Sequence, residues 1–181
     1  MQKKEQGHGL QNIVEFKEIN AENLSLGLPQ SSPYFNAILC RWGLMSLADL
    51  SGALDNIYGL LADEGCFATA VWSIPSKVPL LSIPVYIVAE QLGLPSPLPR
   101  SPGPFSLSDI DALENSLSRV GFKNIHSETL TVTFEFASAQ EYVRFVQEIS
   151  TPIQALLSKE STERREKLDD NRRSNKKIFA R

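Results

Sequence analysis

FNAILCRWGLMSLADL, running from Phe35 to Leu50, is the stretch on which the reading of the fold turns. Its first six residues, Phe35 to Cys40, are a short apolar run. Such a run predicts a strand buried on both faces, as the strands of parallel sheets are. Ser46-Leu47-Ala48-Asp49 follows with the pattern of a capping box. Leu47, Leu50, Leu54, Ile57 and Leu61 then recur at helical spacing. Asp63-Glu64-Gly65 reads as a turn, and CFATAVW (Cys66–Trp72) as a second buried strand. Strand, helix, strand in this order predicts a right-handed βαβ unit.

Toward the N-terminus, Ile13–Ile19 alternates apolar and charged residues and reads as a strand, with Asn20-Ala21-Glu22 as a loop after it. Ser31-Ser32-Pro33 signals a turn. Toward the C-terminus, eight of the eleven prolines fall between Ser73 and Phe105. A helix fits there after Pro84, in VYIVAEQL, while LPSPLPRSPGPF is expected to be irregular. An insertion after the carboxyl end of a strand can form part of a ligand pocket, and a stiff surface linker is the alternative. Ser108 is placed to cap a helix that presents Ile110, Leu113, Leu117 and Val120 and stops at Gly121. Lys123–Ser127 reads as one strand, and the alternation of Leu130, Val132, Phe134 and Phe136 as another. A second capping box, Ser138-Ala139-Gln140-Glu141, opens a helix holding Tyr142, Phe145, Val146 and Ile149, and Pro152 suits the first turn of one more. There is no internal repeat.

With 181 residues, 42% of them hydrophobic, the chain suits one globular domain with a real core. No apolar run approaches the roughly 20 residues that cross a bilayer. The polar N-terminus, MQKKEQGHGLQN, lacks the apolar centre of a signal peptide. Cys40 and Cys66 both lie in apolar segments and read as buried, reduced thiols of a cytoplasmic protein. With His8 and His126 as the only histidines, no spacing suggests a metal site. Nine basic and five acidic residues between Ser158 and Arg181 give about +4 there, against about −7 over the rest. Signs alternate along KESTERREKLDDNRRSNKK, and no aromatic residues interleave that run. It reads as a solvated helix or frayed end, with no nucleic-acid partner expected.

Taken together, GLQNIVEF…NAENL, FNAILCRWGLMSLADL and LLADEGCFATAVW resemble the class I S-adenosylmethionine-dependent methyltransferases. The similarity is to the small-molecule group related to ubiquinone/menaquinone-biosynthesis methyltransferases, and PGPFSLSDIDALENSLSRVGFKNI and TVTFEFASAQEYVRF extend it to about residues 5–157. The resemblance implies an α/β, Rossmann-like sheet of strand order 3-2-1-4-5-7-6 with the last strand antiparallel. On that frame Ile13–Ile19 is the third strand, Phe35–Cys40 the fourth, Cys66–Trp72 the fifth, and the last two fall between Lys123 and Phe136. Strands one and two have no counterpart. Gly7 and Gly9 lack the preceding strand and following helix of a cofactor-binding glycine loop. The expectation is an incomplete sheet in an N-terminally truncated methyltransferase: a partial domain over 1–157 with a Pro-rich insertion at 73–105, then a charged tail at 158–181. The strand beside the missing centre would keep an open apolar edge, which invites a protein partner or self-association.

The resemblance also implies S-adenosylmethionine as cofactor and a small-molecule methyl acceptor as substrate, with cofactor binding expected to be impaired in this chain because the family's glycine loop has no counterpart. Asn20 and Ala21, with Glu22 next, match the family's Asp-Ala at the adenine edge. The amide oxygen of Asn20 can still accept a hydrogen bond, and an Asx turn is the alternative reading. Cys40, Arg41 and Trp42 fall where the family faces the methionine part of the cofactor and the acceptor substrate. An Arg leaving a buried strand needs a counter-charge, from a cofactor carboxylate or a neighbouring acid. Met45 and Trp72 are candidates for the acceptor pocket, with core packing as the alternative. No nucleophile or general-base dyad is expected, because methyl transfer depends mainly on proximity and alignment. The rival reading is a non-catalytic protein-binding module, or a subunit completed by a separate N-terminal chain.

Overall fold

A computed structural model of the chain describes residues 13–26, 28, 35–93 and 101–149. The readings placed on Gly7–Gly9, on Ser31-Ser32-Pro33, on 94–100, on Pro152 and on the tail at 158–181 lie outside the described residues. The βαβ unit is present: β1 (Phe35–Arg41), α1 (Leu50–Leu60) and β2 (Leu61–Ala70), with β1 and β2 hydrogen-bonded in parallel. Three further helices follow, α2 (Pro79–Leu92), α3 (Ile110–Val120) and α4 (Ala139–Ile149).

Among the described residues the sheet has two strands, not the five-stranded, incomplete methyltransferase sheet with an antiparallel last strand. A strand needs a neighbour for its backbone groups, and alternation alone supplies none. Residues 13–19 form no strand, with Ile13 and Phe16 79% and 56% exposed. Residues 123–136 likewise form no strand. Their alternation serves a different contact. The ring of Phe134 packs 5.8 Å from that of Phe145, and Phe136 lies 5.3 Å from Tyr142 and 5.2 Å from Phe145, both on α4. Leu130 and Val132 remain exposed.

Nor is β1 buried on both faces. Ile38 and Cys40 pack toward the core, whereas Leu39 is 81% exposed. The exposed face of the sheet also carries Ala37, Arg41, Cys66, Ala68 and Ala70. Cys66 is therefore an exposed thiol rather than a buried one, and Cys40 is half-buried; both are free. The other face carries Ile38, Cys40 and Phe67 against a core of Leu44, Leu54, Ile57, Leu113 and Leu117, so α1 and α3 cover one side of the sheet.

Local chemistry sets the boundaries. α1 begins after Asp49, whose Oδ1 accepts from the Gly52 amide at 2.9 Å. Ser46 ends a short 3-10 turn (Leu44–Ser46) and is not the cap. β2 starts at Leu61, and the turn expected at Asp63-Glu64-Gly65 survives inside it as a bulge. Phe35 pairs with Leu61, but Ala37 already pairs with Cys66, so the extra residues of β2 bow outward. Glu64 sits there at φ 62°, and a side chain at Gly65 would bring its Cβ within 2.8 Å of the Ala62 carbonyl oxygen. α3 is capped by Asp109, whose Oδ1 accepts from the Ala112 amide at 3.1 Å, one residue beyond the expected Ser108. α4 opens as its sequence requires: Ser138 Oγ accepts from the Glu141 amide at 3.2 Å, and Glu141 Oε2 accepts from the Ala137 amide at 2.7 Å.

α2 runs through Pro84, which has no N–H to give to the Leu80 carbonyl one turn earlier. The Tyr142 hydroxyl donates to that carbonyl at 2.9 Å, tying α4 to α2. Burial pushes the Tyr142 hydroxyl above its ordinary range, so it stays a donor. Tyr142→Phe is expected to cost about 1–3 kcal/mol, measured by urea denaturation, because the carbonyl is left unpaired. The raised value also fixes a pH dependence. The contribution of Tyr142 is present below about pH 10, where the unfolded hydroxyl ionises, and is lost as pH rises through the folded value. The Phe variant should lack that part of the alkaline loss.

Candidate functional site

In open parallel sheets, ligands bind outside the carboxyl ends of the strands. Here those ends are Arg41 and Ala70, and the chain leaves them through Trp42 and through Val71-Trp72. The Trp42 amide donates to the Ala70 carbonyl at 2.9 Å, which carries the ladder one step past β1. The two indoles stack with centroids 4.5 Å apart and planes 11° apart. Trp42 holds φ at 59°, a left-handed conformation unusual for a bulky residue. The Arg41 guanidinium carbon lies 4.8 Å from the centroid of the Trp42 ring, within cation–π range.

Arg41, Trp42 and Trp72 line one cleft of about 2770 Å³. One wall is β2, including Ala68 and Ala70. Facing it are the segment 122–136 and parts of α4, with Tyr142 and Val143. The Pro-rich segment contributes Ser73, Ile74, Lys77 and Ile83, so its first part does form cleft wall. Arg41 has no acidic partner among the described residues, where the one ion pair is Lys17–Glu15 at 3.3 Å. The alternative of a salt bridge to a neighbouring acid is thus not what the structure displays.

The remaining candidates lie elsewhere. Asn20 makes an Asx turn, its Oδ1 accepting from the Glu22 amide at 3.0 Å. Ala21 opens the short 3-10 segment Ala21–Leu26 and is exposed. The Glu22 carboxylate accepts from the amides of Ala48 and Asp49, at 2.6 and 3.0 Å, just ahead of α1. Its carbonyl accepts from Asn56 Nδ2 at 3.2 Å. Glu22 therefore tethers the N-terminal segment to α1, and none of these three residues lines the cleft. The Cys40 carbonyl accepts from Thr69 Oγ1 at 2.9 Å, and its side chain packs on the core. Met45 is buried, and its carbonyl accepts from the Gly103 amide at 2.8 Å and Ser106 Oγ at 2.7 Å. That anchors the end of the Pro-rich segment and makes Met45 a structural residue rather than a cleft residue.

Sequence reasoning did not single out Ala68 and Ala70 as cleft wall. Their signal was available: small residues alternating along CFATAVW mark one face of a strand. Among the described residues no group of three or more His, Cys, Asp or Glu side chains could hold a metal ion. No helix of the described residues is long and apolar enough to cross a membrane. Compared with family models, with curated proteins and with solved structures, the chain has no match in any of the three.

Proposed function

We propose that the chain serves S-adenosylmethionine-dependent methyl transfer to a small organic acceptor. The observation that supports this reading is the convergence of Arg41, Trp42 and Trp72 at the carboxyl ends of two parallel strands, on the rim of a cleft. The sequence resemblance supplies the cofactor. Trp72 lines the cleft with one face stacked on Trp42, and its other face is of the kind that favours a cation such as a sulfonium. In the reaction an oxygen, nitrogen or carbon of the acceptor would attack the methyl carbon in line. The carbon–sulfur bond breaks as the new bond forms, the sulfur leaves as a neutral thioether, and the acceptor proton passes to solvent. The chain's part is to hold the two reactants in contact and aligned. Calorimetric titration of the folded chain with S-adenosylmethionine tests the reading: saturable but weak heat is expected, since the family's glycine loop has no counterpart, and a folded chain giving no heat would overturn it.

A second reading, a protein-binding module, draws on the open face of the sheet, where Leu39 is 81% exposed beside Ala37, Cys66, Ala68 and Ala70. Parallel sheets are ordinarily covered on both faces. A defined dimer or complex by solution mass, together with no cofactor heat, would favour it.

A further inference from the structure

Along β1, Ile38 and Cys40 pack on the core, while Ala37 and Leu39 face the other way. Leu39 is the most exposed of the large apolar side chains described. Neither Ala37 nor Leu39 lines the cleft, so a ligand in the cleft does not cover them. The sheet also carries charge of opposite sign at the two ends of this face. Arg41 stands exposed at the carboxyl end of β1. At the amino end the outward bulge of β2 carries Asp63 and Glu64, both exposed. The register sets that bulge beside Asn36, between the pairs Phe35–Leu61 and Ala37–Cys66. Among the described residues none of the three charged groups has an ion-pair partner. From Asn36 to Arg41 the strand rises about 16 Å, at roughly 3.3 Å per residue. Ala37 and Leu39 fall near the middle of that span.

We propose that a second copy of this chain packs on the open face, β1 over β1 and antiparallel, about a twofold axis beside Leu39. The proposal rests on the reading of that face as a protein-binding surface. A face with a positive end and a negative end complements itself only when the second copy is reversed. The twofold then brings Arg41 of each copy to the Asp63-Glu64 end of the other. It also sets Leu39 of each copy against Ala37 and Leu39 of the other, a bulky side chain beside a small one. Stacking the copies in the same direction would instead set like charges together. The reversed pair covers the bare side of a parallel sheet, which is ordinarily covered on both. Because β1 lies at the centre of the contact, the cleft beyond β2 stays open. A face of two strands is small against the roughly 800 Å² that each partner gives to a standard interface, so the pair is reversible.

Sedimentation velocity of the full chain, over a concentration series up to millimolar, tests the proposal. The mass should rise reversibly from 20.1 kDa toward twice that value. Leu39→Lys, at an exposed position, sets two like charges at the axis and should weaken the dimer at least about tenfold, with an unchanged circular-dichroism spectrum. Arg41→Glu should weaken it as much, and so should Asp63→Lys combined with Glu64→Lys. Mixing those two charge variants should restore a one-to-one pair, because each copy then meets opposite charge at both ends. Misfolded chains would not be rescued by mixing. A mass of 20.1 kDa at every concentration, or charge variants that do not pair when mixed, would overturn the proposal. A dimer unmoved by Leu39→Lys would overturn it too, while leaving protein binding in place at another surface. S-adenosylmethionine titrated alongside separates the two readings: a dimer dispersed by Leu39→Lys that also gives cofactor heat keeps the interface and removes the non-catalytic reading.

Discussion

Leu54→Ala is expected to lower the stability of the chain by about 2–5 kcal/mol, the range for emptying a leucine-sized space in a packed interior. Leu54 is 0% exposed and lies on α1 at the centre of the main core, with Leu44, Ile57, Leu113 and Leu117 around it. Those neighbours come from three elements: the turn after β1, α1 itself and α3. Neither helix can shift toward the cavity without leaving the covered face of the sheet, so little of the lost contact is recovered. The loss is a large share of the roughly 5–15 kcal/mol that holds a typical domain folded. Urea denaturation checks it, read as a lower midpoint at unchanged slope. A cost under about 1 kcal/mol would be that of a surface position and would move the core elsewhere.

Gly121→Ala should cost about 1–3 kcal/mol, for two reasons that a double substitution separates. Gly121 closes α3 at φ 119°, a left-handed conformation that a Cβ disfavours, and its amide donates back to the Ser118 carbonyl at 3.2 Å. An added Cβ would also lie 3.0 Å from Tyr58 Cζ and 3.1 Å from its hydroxyl oxygen. Tyr58 is 44% exposed and can give way in part, but its ring meets Phe122 edge-on at 5.1 Å, and Phe122 in turn lies 5.6 Å from Phe67 on β2, so moving it loses that contact. In a Tyr58→Leu background the steric part should fall away and the backbone part remain. Equal costs in both backgrounds would assign the whole effect to the backbone. The measurement is again the denaturation midpoint, with helix content followed by circular dichroism.

What the sequence made legible was local. Gly121 as a stop and Ser138 with Glu141 as a start were readable because each acts within a turn of its own residue. The βαβ unit was readable because apolar runs and a helical repeat alternate within one short span. The strand at 130–136 was misread because alternation points to a buried side without saying what covers it, and over 13–19 the alternating apolar residues Ile13 and Phe16 are not buried at all. For Phe134 and Phe136 the cover is a helix, α4, and not a neighbouring strand. Glu22 shows the same limit at the candidate site. Its partners, the amides of Ala48 and Asp49, are more than twenty residues away, and nothing near Glu22 announces them. Arg41 and Trp72 could be placed at one sheet edge from strand order alone. The stacking of Trp72 on Trp42 and the left-handed turn that allows it required the coordinates.

That stacking joins the two ends of the βαβ unit, since Trp42 follows the first strand and Trp72 the second. Two identical chromophores held this close share their excited states. Their coupled ultraviolet transitions give a circular-dichroism couplet that separated indoles do not. Because the chain contains no other tryptophan, the couplet belongs to this pair alone. If either strand end opens while α1 stays helical, the couplet disappears before the helical signal falls. One optical band thus measures local opening of the unit separately from its global unfolding.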